Sequence, residues 1–150
     1  MKYPLLLLRR VIAVAAMTAT ITTPLTLIAC ANASAALTAK PTIEQMQKRA
    51  SERSATRWKA LIDKRFDEAY DFLSDASKVG VTASDYAAAM QKMGFIASSL
   101  DTVSCDESVC AVKSSVTLPV FIRNVGSRPQ TVPVEEQWIL QNGELWLIRR

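Results

Sequence analysis

An α+β domain, helical in its first half and an antiparallel sheet in its second, is predicted by three features of this chain. Apolar residues recur at helical spacing as far as Met93, and after Gly94 they alternate with period two. Asn142-Gly143 then divides the last alternating run as a tight-turn pair. The arrangement expected is three N-terminal helices packed on a sheet of about four strands.

The folded part is expected to be residues 42–150 of a chain 150 residues long, one domain with enough length for a real core. Lys2, Arg9 and Arg10 precede an apolar run from Val11 to Ile28, the order of a bacterial secretory leader. Leu27-Ile28-Ala29-Cys30 resembles the lipobox of bacterial lipoproteins, in which the cysteine is diacylated and becomes the new N-terminus. On that reading residues 1–29 are a signal peptide, Cys30 carries lipid, and residues 30–41 are a small, polar tether. The protein then sits in the cell envelope, held to a membrane and facing the periplasm. Two alternatives stay open. The apolar run approaches the ~20 residues that span a bilayer, although Thr18, Thr20, Thr22, Thr23 and Pro24 weaken it. Ala33-Ser34-Ala35 is also an A-x-A cleavage signal, whose use discards Cys30 and leaves a soluble periplasmic protein.

The formal net charge of +4 comes from 18 basic and 14 acidic side chains. Three of the basic ones lie in the leader, so the mature part carries 15 against 14. With no basic run longer than a pair, there is no electrostatic footprint for nucleic acid. Histidine is absent, which excludes a His-rich metal centre and a Ser-His-Asp triad, and no metal or cofactor is expected. Of three cysteines, Cys30 is the odd one. Cys105 and Cys110 remain as a pair whose disulfide an oxidising envelope favours.

Along the chain, Thr42 and Gln45 form a capping-box pattern. Ile43, Met46, Ala50, Trp58, Leu61 and Ile62 follow on one face, giving a helix from Ile43 to about Asp63. Phe66, Ala69, Tyr70 and Leu73 stripe a second, short helix after a sharp turn at Lys64-Arg65. Thr82 to Asp85 repeats the cap, and Tyr86, Ala89, Met90 and Met93 stripe a third helix that ends at Gly94. In the sheet, Cys110, Val112, Val116, Leu118 and Val120 share one strand face, with Ser114 the exception on that row. Asp106-Glu107-Ser108 is a polar turn that sets Cys105 across from Cys110 and Val103 across from Val112. Asn124 to Gln130 is expected to be a loop and Thr131 to Gln141 a strand. The Asn142-Gly143 turn then pairs Leu140 with Leu145, Trp138 with Leu147 and Glu136 with Arg149 on the helix-facing side. Ile139 with Trp146, and Gln137 with Ile148, fall on the other side.

Arg57-Trp58-Lys59-Ala60-Leu61, the run Phe66 to Ser74, the cysteine hairpin, Glu136-x-Trp138 and Leu145-Trp146-Leu147-Ile148 together look like nuclear-transport-factor-2-like proteins of bacterial envelopes, across about residues 43–150. This resemblance implies a cystatin-like cone: a strongly curved antiparallel sheet wrapped on the helices, with a pocket between them. The superfamily holds isomerases, dehydratases and cyclases beside transport adaptors and assembly modules, so membership does not choose a function. Without histidine, the dehydratase His-Asp machinery is missing. The candidate pocket residues are Trp58, Tyr70, Tyr86, Glu136, Trp138 and Arg149. Glu136 is the one carboxylate on an apolar row and so the candidate base, but a salt bridge to Arg149 is the simpler role. Arg57 and Lys59 read as solvated-face charges. Ile139, Trp146 and Ile148 are expected to form an exposed apolar patch and a homodimer interface.

Lacking a convincing acid-base set, the chain reads as a non-catalytic, lipid-anchored module that binds or assembles an envelope protein. The alternative is a small-molecule binder or isomerase/cyclase-type enzyme with Glu136 as base and Tyr70 or Tyr86 as hydrogen-bond donor. The lipobox reading is checked by intact mass: the mature chain should begin at Cys30 with acyl mass attached, and Cys30→Ser should move the protein to the soluble fraction. An unacylated N-terminus at Ala36 contradicts it.

Overall fold

The structure, a computed structural model, describes residues 40–149. The leader, Cys30 and all but the end of the tether lie outside them. The described part is α+β: helices α1 (Ile43–Ile62), α2 (Phe66–Asp71), α3 (Asp75–Lys78) and α4 (Ala83–Met93), then strands β1 (Ala97–Cys105), β2 (Val109–Ile122), β3 (Gly126–Gln141) and β4 (Glu144–Ile148). The four strands form one antiparallel sheet in sequential order. None of the described helices is long and apolar enough to cross a membrane.

The Thr42 hydroxyl accepts from the Gln45 amide at 3.2 Å and the Gln45 side chain accepts from the Thr42 amide at 3.0 Å, so α1 starts where the capping box places it. Met46, Ala50, Ser54, Arg57, Trp58, Ala60 and Leu61 make its buried side. It ends where Lys64 turns to φ 62° and the Arg65 amide returns to the Ala60 carbonyl at 2.8 Å. Thr82 and Asp85 cap α4 in the same reciprocal way, and Gly94 closes it at φ 64°. Only Tyr86 of the expected α4 stripe is buried; Met90 is half-buried, and Ala89 and Met93 are exposed. The one-turn helix α3, capped by the Ser74 hydroxyl, is too short for any apolar period to announce.

In the sheet, the register is the one the turns dictate. Cys105 pairs with Cys110 and Val103 with Val112. Asn142 and Gly143 both take positive φ, 53° and 81°, and pair Leu140 with Leu145, Trp138 with Leu147, Ile139 with Trp146 and Gln137 with Ile148. Cys110, Val112, Ser114 and Val116 of β2, Glu136 and Trp138 of β3, and Leu145 and Leu147 of β4 are the buried sheet row. Beyond β4, Leu147 bonds the Phe72 carbonyl and the Ser74 amide, both at 2.9 Å, so the connection after α2 covers that sheet edge.

The chain departs from the sequence expectation between β2 and β3. Gly126 to Gln130, read as loop, is the start of β3, and the actual turn is Arg123 to Val125. Pro129 was the misleading signal. The row containing Pro119↔Pro129, Thr117↔Thr131 and Ser115↔Pro133 points its backbone groups away from the β2–β3 ladder, as the Thr117 carbonyl shows by accepting from Ile96 at 2.9 Å. A proline in that row removes no ladder bond.

Cys105 and Cys110 are joined by a disulfide, their Cα atoms 4.0 Å apart. Inside the turn that they close, Asp106 accepts from the Ser108 and Val109 amides, each at 2.8 Å, and these bonds hold its carboxyl below the usual range. Removing the bridge with Cys105→Ser and Cys110→Ser should cost about 2 kcal/mol in urea unfolding without abolishing the fold, because the buried row survives it. The Asp106 contribution has the opposite handle. Its folded pKa lies below the unfolded one, so the stabilisation is complete above the ordinary carboxylate range and is lost as pH falls through the lowered value. Asp106→Ala should therefore reduce stability at neutral pH and flatten the decline below about pH 4, relative to the unaltered chain.

Candidate functional site

The helix phase and the strand phase meet at one polar cluster. Ser54 and Arg57, three residues apart, share the sheet-facing side of α1, while Glu136 lies on the inward row of β3. Glu136 is 5% exposed and Arg57 8% exposed, and they form an ion pair through Nη1 and Oε1. The Ser54 hydroxyl donates to Glu136 Oε2 at 2.5 Å, and the Trp138 indole N–H donates to the same oxygen at 3.3 Å. Arg57 Nη2 donates to the Tyr86 hydroxyl at 3.1 Å, which brings α4 into the network. The guanidinium also lies 5.1 Å from the Trp58 ring. Both carboxylate oxygens thus accept from protein donors, as a buried carboxylate requires.

The candidate residues are therefore divided. Trp58, Tyr86, Glu136 and Trp138 meet around Arg57. Tyr70 packs against Tyr86, ring centroids 5.6 Å apart, but gives its hydroxyl proton to the Val81 carbonyl at 2.8 Å. Arg149 corrects the expectation made of it: the register runs as far as Gln137↔Ile148, and then the Arg149 amide donates to the Ser77 hydroxyl at 2.8 Å, leaving the side chain exposed and Glu136 to Arg57. Arg57, read as a solvated charge, is the buried partner instead. Ser54 was missed with it. Their signal was positional, since both fall on the same helical stripe as Met46, Ala50 and Leu61, and a carboxylate on an apolar strand row requires a cation opposite.

Ile139, Trp146 and Ile148 are half-buried, not an exposed patch. Arg53 lies over the rings of Phe72, Trp138 and Trp146, at 5.0, 5.9 and 5.2 Å, and Lys78 lies 6.0 Å from Trp146. This partial burial holds the Arg53 guanidinium below its ordinary value, opposed by Glu144, whose carboxylate is 3.4 Å away. Long cationic side chains here cover aromatic surface that the strand pattern alone leaves bare.

Concavities adjoin the cluster on two sides among the described residues. A cleft of about 360 Å³ between α1 and the first two strands is lined by Ser54, Trp58, Lys59, Asp63 and Ser98 among others, and does not include Glu136. A smaller hollow of about 160 Å³ touches Arg57, Trp58, Glu136 and Leu147. Space and carboxylate thus coincide only in the smaller one. Among the described residues no three His, Cys, Asp or Glu side chains gather as metal ligands.

No family model matches the chain, and no curated protein does. Solved structures do. A SEC-C motif containing protein from Rhodopseudomonas palustris superposes with a TM-score of 0.53 at 16% identity, over 65% of this chain and 73% of that one. Aln2 from a Streptomyces species superposes with a TM-score of 0.50 at 13% identity, over 73% of this chain and 89% of that one. At such identities the likeness is one of fold.

Ser54→Ala and Tyr86→Phe each remove a bond to a charged group and should cost about 1.5–3 kcal/mol in urea unfolding. Tyr70→Phe removes a neutral bond to a carbonyl and should cost about 1 kcal/mol. Equal, small losses for all three would contradict the cluster's place at the centre of the core.

Proposed function

We propose that this chain is a non-catalytic module of the bacterial cell envelope, a domain of the nuclear-transport-factor-2-like cone type tethered through lipid on Cys30, which binds or helps assemble another envelope protein. The observation that carries the reading is the occupied state of Glu136. Its two oxygens accept from Arg57, Ser54 and Trp138, so the carboxylate that the sequence puts forward as base has its lone pairs directed at structural donors. An isomerase or cyclase needs that group facing its substrate, and the larger cleft does not contain it. Helices followed by a four-stranded antiparallel sheet in sequential order support the cone reading.

Crosslinking the mature protein in intact envelopes, followed by mass spectrometry, tests this. A protein adduct that recurs at fixed positions on the domain surface, and persists with Glu136→Gln in a chain that still folds, is the expected result. A turnover activity lost in Glu136→Gln, with the fold intact by circular dichroism, overturns it in favour of the enzyme.

A further inference from the structure

β2 and β3 outrun their neighbours. β1 reaches only to Thr117 and β4 ends opposite Gln137, so the five pairs from Leu118↔Gln130 to Ile122↔Gly126 form a ribbon with both edges open. Its tip is apolar and uncovered: Phe121 is 78% exposed, Val125 54% and Ile122 39%. At its base Gly94 lies against Pro119, where an added Cβ would come within 3.2 Å of the ring, and Met93 and Ile96 beside Gly94 are 44% and 49% exposed. Five of the eight exposed large hydrophobic residues among those described are thus gathered at one end. Such a patch needs an occupant.

Strand addition is a poor fit, because Pro119 on one open edge and Pro129 and Pro133 on the other lack the N–H that a docking strand would use. Contact must come through side chains. The charges nearest them along the chain are of one sign: from Tyr86 to Leu100 and from Ser114 to Val134 there is no Asp or Glu, whereas Lys92, Arg123 and Arg128 are present and exposed, and the Asp101 carboxylate accepts from Ser115, three residues before the ribbon begins. An apolar tip whose own charged residues, Arg123 and Arg128, are both cations matches an anionic phospholipid surface, where Phe121, Ile122 and Val125 enter the acyl boundary and the two guanidiniums meet phosphates. We infer that the β2–β3 arm is a membrane-contact element for anionic phospholipid. It does not depend on lipid at Cys30. Lys40, the first described residue, is paired with Glu107 of the β1–β2 turn, at the opposite end of β2.

The test is co-sedimentation with phosphatidylcholine vesicles, with and without phosphatidylglycerol, in a Cys30→Ser background. Binding is expected only with phosphatidylglycerol. Phe121→Ser should weaken it about tenfold, and Arg123→Gln and Arg128→Gln roughly fivefold each. Val79→Ser, at a residue 78% exposed outside this patch, should leave binding unchanged. Equal binding by Phe121→Ser and the unaltered chain, or no binding to either vesicle, overturns the inference. So does a photo-reactive side chain at position 121 that labels protein and no lipid in intact envelopes.

Discussion

A carboxylate taken out of water costs several kcal/mol unless its lone pairs are met, and the interior of this domain is arranged around one such group. Glu136 projects from the second half of the longest strand into a buried row that also holds Cys110, Val112, Ser114, Val116, Trp138, Leu145 and Leu147. It is met by Arg57 and Ser54 from α1 and by Trp138 from its own strand, and Arg57 passes the connection on to Tyr86 of α4. Apolar burial supplies most of the attraction between helices and sheet, but it is non-directional. The ion pair supplies direction: it is satisfied at one axial position and one rotation of α1 against β3. This pair therefore sets how the long helix seats on the sheet.

The two ends of the sheet are treated differently by the chain. At the disulfide end, Asp106 gathers the turn amides and Cys105–Cys110 closes the hairpin. On the β4 side, Leu147 engages the connection after α2, and Arg53 and Lys78 cover Trp146. The β2–β3 arm has none of these coverings and is instead protected against strand pairing by its prolines. Exposed apolar surface gathered at one uncovered end is hard to explain as packing and simple to explain as contact.

Much of this was legible in the sequence because local chemistry decided it. Thr42-Gln45 and Thr82-Asp85 announce helix starts, and Asn142-Gly143 fixes a register that carries every pair out to Ile148. What escaped depended on tertiary placement. Pro129 reads as a loop residue until the ladder parity is known, and the Ser74-capped turn α3 is shorter than any period. The site followed the same division. Glu136 was identifiable as a carboxylate on an apolar row, but its partner was sought across the hairpin at Arg149, where register pointed, and not across the core at Arg57, where the phase of α1 places a cation. The rotation of a helix on a sheet is not written in either element alone.

The direct measurement is a double-mutant cycle between α1 and β3, with Arg57→Met, Glu136→Leu and the two combined, each unfolded in urea. Each single change strands a buried partner and is expected to cost about 3–5 kcal/mol. The combined variant replaces the pair by apolar side chains and should be more stable than either single variant, so that the two changes are strongly coupled. Losses that simply add, with the combined variant the least stable, would contradict the claim that this ion pair seats the helix on the sheet.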